Sequence, residues 1–173
     1  PVGGRAQRSG PYVVGAPDVV LPRRSRPLCA VPEIGIGNKP IDDGNYLFST
    51  AERDASVAKE TGSKKWFRRW LGADEFLNGY ERWCLWLGDC QPAELRAMPE
   101  AMKRVQAVKA ARLASKSLPT RKLADTPTRF HVENMLRTPY LVLPKVSSER
   151  RKFIPFGFEQ PETLCSDLVF LVP

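Results

Sequence analysis

At 173 residues, with 42% hydrophobic and 27% charged residues, the chain has the make-up of one globular domain able to bury a core. Its 27 Lys and Arg against 19 Asp and Glu leave a net charge of +8, which favours a polyanionic partner. No apolar run is long enough to cross a membrane as a helix, so the expectation is a cytoplasmic protein with no membrane partner.

Residues 1–10 contain Gly, Arg and Ser without periodicity, and are expected to be a disordered linker or fragment end. The folded region is expected to be 11–173. Residues 11–21 predict a short strand, a turn at Ala16-Pro17-Asp18 and a second apolar piece, followed by Arg23, Arg24 and Arg26 in a Pro-bounded loop. Turn residues dominate Gly35 to Asn45. Ser49 or Thr50 then caps a predicted helix from about Ala51 to Gly62, because Glu52 stands three residues after Ser49. Lys64 to Trp70 is basic and aromatic and predicts a single helical turn.

Asn78-Gly79 lies between Glu75-Phe76-Leu77 and the apolar run Tyr80 to Leu87. Asn-Gly suits the two positive φ values of a type I′ turn, so a β-hairpin is predicted there, its second strand covered on both faces. Pro92 and Pro99 stand at first-turn positions of two helices. The longer is predicted over about 99–117 and stopped by Pro119. Its Met102, Val105, Val108 and Leu113 share a broad face, with Leu95 and Met98 in line. Tyr140 to Leu143, Lys152 to Phe158 and Leu168 to Val172 are predicted strands. The sum is a single α+β (mixed α/β) domain of short hairpins and a few helices, without internal repeats.

Catalytic signatures are absent from the sequence: no phosphate-binding GxxxxGK[ST] loop, no GxGxxG, no GxSxG and no HExxH. His131 is the sole histidine and is expected to be a packed strand residue. Cys29, Cys84, Cys90 and Cys165 form no CxxC pair and are expected to be isolated thiols rather than metal ligands. Trp66, Trp70, Tyr80, Trp83 and Trp86 are flanked by apolar residues and are expected in the core. The expectation is a segment with no catalytic residues, no metal and no cofactor of its own.

Basic residues carry the remaining signal. Lys103, Arg104, Lys109, Arg112, Lys116, Arg121 and Lys122 occur with no acid between the first and the last. On ideal periodicity Lys109 and Arg112 fall inside the apolar stripe. The run then continues into Ser115-Lys-Ser-Leu-Pro-Thr-Arg-Lys122, mixing hydroxyls, amides and cations, the groups that contact phosphate. Lys109, Arg112, Lys116, Arg121, Lys122 and Lys145 are therefore the candidate phosphate contacts. Ser147, Ser148, Glu149, Arg150 and Arg151 are the candidate base readers: Arg suits guanine O6 and N7, Glu accepts from cytosine N4, and Ser serves either edge. A local ion pair between Glu149 and an arginine is the competing reading.

Several stretches resemble a known family: Gly37-Asn-Lys-Pro-Ile-Asp-Asp-Gly-Asn-Tyr-Leu47, Trp70-Leu-Gly-Ala-Asp-Glu-Phe-Leu-Asn-Gly-Tyr-Glu-Arg-Trp-Cys-Leu-Trp86, Arg112-Leu-Ala-Ser-Lys116, Thr120-Arg-Lys-Leu-Ala124 and Val146-Ser-Ser-Glu-Arg-Arg-Lys-Phe-Ile-Pro155. Over about 11–173 the chain is similar to the target-recognition domain of MmeI-like (type IIG/IIL restriction–modification) adenine-specific DNA methyltransferases. That resemblance implies a monomeric reader of double-stranded DNA attached to a methyltransferase core. S-adenosylmethionine would be bound by the parent enzyme, outside this segment. The Arg112 to Lys122 stretch and the Ser147 to Lys152 loop are then the DNA-facing candidates. The alternative is a basic docking module for a protein partner, without direct DNA readout.

Overall fold

Two extended pieces, β1 (Gly35–Ile36) and β2 (Leu47–Ser49), flank a loop of tight turns. Asp42 organises that loop by accepting the Tyr46 N–H at 2.7 Å. Ser49 then forms a complete capping box: its hydroxyl accepts from the Glu52 N–H, and the Glu52 carboxylate accepts from the Ser49 N–H. Helix α1 (Thr50–Lys59) follows and ends where Glu60 leaves helical geometry, three residues before the predicted end. Lys64 to Trp70 divides into the end of a 3-10 turn (Thr61–Trp66) and the start of β3 (Phe67–Leu71), so the predicted single turn covers only its first part.

The predicted hairpin at Asn78-Gly79 is not formed. Ala73–Asn78 is a helix, α2, started by the Glu75 carboxylate accepting the Gly72 N–H and ended by Gly79 at φ +74. A left-handed glycine serves a helix C-terminus as readily as a hairpin turn. Here the acids of the first turn, Asp74 and Glu75, favour the helix. β4 (Arg82–Leu85) follows and pairs with β2 and β3 instead of with 75–77.

Pro92 and Pro99 open α3 (Pro92–Arg96) and α4 (Pro99–Ala114), each in the first turn, where a missing N–H costs nothing. α4 stops at Ala114, short of the predicted 117, and Pro119 begins a helix instead of ending one: it lies in the first turn of α5 (Leu118–Lys122). The last strands are β5 (Tyr140–Pro144), β6 (Gly157–Glu159), β7 (Leu164–Cys165) and β8 (Val169–Val172). Residues 152–156, predicted as strand, have no strand partner; only 157–159 pair.

Two four-stranded sheets result: β1-β8-β5-β6, antiparallel throughout, and β2-β4-β3-β7, in which only β3 and β7 run parallel. With the helices they make the α+β architecture expected from the sequence. Trp70 and Leu164 face a core with Tyr46, Phe48, Trp86, Met98 and Val108, whereas their neighbours Leu71 and Cys165 face a second with Tyr140, Val142 and Leu171. Alternation along paired strands turns successive side chains to opposite faces. The β3–β7 seam thus divides the two cores.

These features come from a computed structural model that describes residue 23 and residues 27–173. The chain divides into units 1–31 and 32–173. In the first, the described residues form no helix or strand, and the expectations for 1–10 and for the strands at 11–21 lie outside them. Among the described residues no helix is long and apolar enough to cross a membrane.

Candidate nucleic-acid interface

α4 turns one stripe inward: Ala101, Val105, Val108 and Arg112 are buried. Arg112 therefore does lie within the apolar stripe, but as a fully enclosed residue, 1% exposed. Its five N–H donors all meet backbone carbonyls. Nε donates to Ile41 at 2.9 Å, Nη1 to Leu123 and Thr126 at 2.8 and 3.0 Å, and Nη2 to Pro40 and Arg129 at 2.8 Å each. Desolvation lowers the Arg112 pKa, opposed by Tyr46 and Asp42. A guanidinium with every donor occupied cannot also grip a phosphate, so the expected phosphate contact at Arg112 is corrected: it is a clamp. It ties the 40–41 loop and the 123–129 segment to α4, and holds Ile41 at φ +49, a conformation costly for a β-branched residue.

The remaining basic residues separate by what already occupies them. Lys103 pairs with Glu100 at 2.7 Å. Arg104 stacks on Phe48, 4.2 Å from the ring centroid, and donates to the Asn45 carbonyl. Arg121 is exposed but folds one donor nitrogen back onto the Ser115 and Lys116 carbonyls, closing the end of α4. Lys109, Lys116 and Lys122 are exposed and have no ion pair among the described residues. Lys109 thus lies outside the buried stripe in which periodicity placed it. Leu113, expected on the apolar face, is 54% exposed, and Met102 is half-buried.

The second cluster occupies the connection from β5 to β6. Lys145 is fastened at its root by its N–H to the Leu168 carbonyl at 2.9 Å, and its ammonium lies 5.2 Å from the centre of the Phe170 ring. A turn from Ser148 to Arg151 is closed by the Arg151 N–H on the Ser148 carbonyl, and the Ser148 hydroxyl accepts the Arg150 N–H. Glu149 and Arg150 stand at the tip of this turn, and every residue from Ser147 to Lys152 is exposed. Among the described residues Glu149 forms no ion pair, so the local pair with Arg150 or Arg151 is not made. That bond uses one lone pair of the Ser148 hydroxyl and leaves its O–H free to donate.

The two clusters ride on different elements, one on α4 and α5 and the other on the β5–β6 loop. Among the described residues no hydrogen bond or ion pair joins them. His131, expected to be packed, is exposed beside the isolated Lys39–Val132 bridge. Trp70 and Trp86 are buried, Trp66 and Trp83 are half-buried, and Tyr80 is exposed. Trp83 is capped by Arg53, 3.9 Å from its ring centroid. Cys84 and Cys165 are buried free thiols, whereas Cys29 is exposed. Among the described residues no three His, Cys, Asp or Glu side chains gather as a metal group.

Sequence reasoning missed the Arg112 clamp, although one signal was present: an arginine in phase with Val105 and Val108 inside an apolar stripe. It also missed Glu60, which is buried and accepts the N–H groups of Glu100 and Ala101 at 2.9 and 3.1 Å. That carboxylate caps α4 from forty residues away, and no local pattern announces it.

Comparison with known proteins gives concordant results. The family described as "MmeI, target recognition domain" matches residues 15–173. DNA methyltransferase A of Bacillus subtilis (strain 168) is 31% identical over 162 residues, covering 94% of this chain and 18% of the relative. A solved structure of the Type IIL restriction-modification enzyme MmeI in complex with DNA matches at 40% identity and a TM-score of 0.88, covering 97% of this chain and 22% of that one. The chain therefore spans about a fifth of the length of these relatives.

Proposed function

The chain belongs to the family of MmeI target recognition domains, and from that premise we propose that it reads the sequence of double-stranded DNA on behalf of a longer adenine methyltransferase of a restriction–modification system. The observation that carries this reading is the exposed β5–β6 loop, whose turn presents Glu149 and Arg150 at its tip with Arg151 beside them. A loop built for phosphate alone would carry only cations. Both signs together match base edges, Arg to guanine and Glu to the amino group of cytosine.

In this reading Glu149, Arg150 and Arg151 contact base edges, with Ser147 as an auxiliary donor. Ser148 chiefly shapes the turn. Lys109, Lys116, Lys122 and Lys145 contact phosphate, and Arg121 adds charge while it closes α4. Arg112 acts as a positioning residue, fastening the 115–129 segment that carries three of these cations. As a target recognition domain the chain leaves catalysis to other parts of the polypeptide, which would bind S-adenosylmethionine and take the target adenine from the stack. A single copy reading an asymmetric site in the cytoplasm is the arrangement we favour.

Selection from a random duplex pool at two salt concentrations tests the proposal. The expected result is a short enriched motif with affinity that falls as salt rises. Glu149→Ala and Arg151→Ala should each relax one position of that motif, losing about 1–3 kcal/mol of discrimination there. Binding without enrichment would refute base reading by this loop. Affinity for a protein partner that survives high salt and resists competition by duplex would favour the basic docking module instead.

A further inference from the structure

Among the described residues, only one face of the β1-β8-β5-β6 sheet is covered. Tyr140, Val142, Val169 and Leu171 turn inward to the second core, and Gly157 approaches Phe76 of α2 on the same side. The opposite face carries Leu141 and Leu143 from β5, Phe158 from β6, and Phe170 and Val172 from β8. Register makes them neighbours: Leu141 lies opposite both Phe158 and Val172, and Leu143 lies opposite Phe170. Phe158 is 77% exposed and Phe170 40%. Phe156, two residues before Phe158, is 63% exposed.

A sheet with one solvated face alternates apolar and polar residues, whereas continuous apolar strands belong to sheets covered on both faces. Tyr-Leu-Val-Leu in β5 and Val-Phe-Leu-Val in β8 are continuous. Large side chains at this exposure and in this contiguity mark an interaction surface. Apart from Lys145 at Phe170, the residues of this face named above are apolar and offer a phosphate nothing, which argues against DNA. Lys145 lies against Phe170, and the Arg150–Lys152 run follows on the same loop, so a second copy docked face to face would bring like charges together. The relatives matched are about five times longer than this chain, and the inference rests on the reading above that this chain is likewise one segment of a longer polypeptide, which would supply a protein surface.

We propose that the outer face of β5, β6 and β8 is the seat on which an apolar surface from the remainder of the longer polypeptide docks, with Lys145 at its rim and the 147–152 turn left free. The docking face is independent of whether that loop reads DNA. Hydroxyl-radical footprinting of the full-length polypeptide without DNA tests it, with each rate normalised to the intrinsic reactivity of the side chain. Phe156, Phe158 and Phe170 should be oxidised several-fold more slowly than their exposure here requires, and Glu149 and Arg150 should remain accessible to modification. Three results overturn the proposal: oxidation at the fully exposed rate, protection that appears only when duplex is added, or protection that grows with protein concentration. The second would assign the face to DNA and the third to a second copy. Because the decisive arm contains no nucleic acid, failure of DNA reading leaves its outcome unaffected.

Discussion

Arg112 illustrates how one side chain can carry a whole segment. A buried cation is costly unless all its donors are matched, and here five carbonyls match five N–H groups. Arg112→Ala is expected to lower stability by at least about 3 kcal/mol, because several buried carbonyls lose their partner at once. Arg112→Lys, with three donors in a different geometry, should recover only part of this. Urea unfolding of the three proteins checks the order; equal midpoints for Arg112→Lys and the parent would refute the clamp. A second expectation concerns alkaline pH. Burial pushes the Cys165 thiol up to about 11, while its hydrogen bond with Tyr140 works in the opposite direction. Unfolded, the thiol titrates near its ordinary value of about 8.5. Between these values the unfolded chain has lost a proton that the folded chain retains. This contribution to stability is therefore complete below about pH 8.5 and falls by ~1.4 kcal/mol per pH unit as pH rises toward 11. Cys165→Ala should flatten the fall in unfolding free energy over that window, and an unchanged slope would remove Cys165 as its source. Cys84, raised for the same reason, continues to contribute.

At the scale of elements, termini decide where helices lie. The Ser49 box, Pro92 and Pro99 were legible because each acts within three or four residues of the helix it starts. Ser49→Ala should cost about 1 kcal/mol, the usual loss for an exposed N-cap. Glu60→Ala should cost more, about 2 kcal/mol, since it leaves two N–H groups at the start of α4 without their acceptor in a buried setting. Thermal unfolding of the two variants side by side tests this ranking. A smaller loss at Glu60 than at Ser49 would mean that water replaces the carboxylate. Gly79 shows the limit of local reading: of the two positive φ values that Asn78-Gly79 suggests, only that of Gly79 is adopted, and whether it ends a helix or turns a hairpin depends on the pairing of β4 with β2 and β3. Pro119 shows the same ambiguity, for a proline that cannot continue one helix is well suited to begin the next.

For the molecule as a whole, the net charge of +8 is unevenly available. Lys116→Ala and Lys122→Ala should each weaken binding to every duplex alike and reduce the magnitude of the salt slope by about one. Lys103→Ala, whose ammonium is already paired with Glu100, should change the slope less. Fluorescence titrations across a salt series distinguish these cases, and equal slopes for all three variants would refute the assignment of Lys116 and Lys122 to phosphate. The sequence alone determined the features that depend on near neighbours: the α+β mixture of elements, the capped and proline-led helices, the β5 and β8 runs, the family, and the two basic clusters. Tertiary structure alone decided which of those charges are free. Periodicity placed Arg112 on an inward stripe but could not reveal that its acceptors come from residues 40, 41, 123, 126 and 129, brought together only by folding. It could not show either that, among the described residues, one face of an apolar sheet is uncovered. The physical reason is the same in both cases: burial and hydrogen-bond occupancy are properties of the space around a side chain, and most of that space is filled by residues distant in sequence.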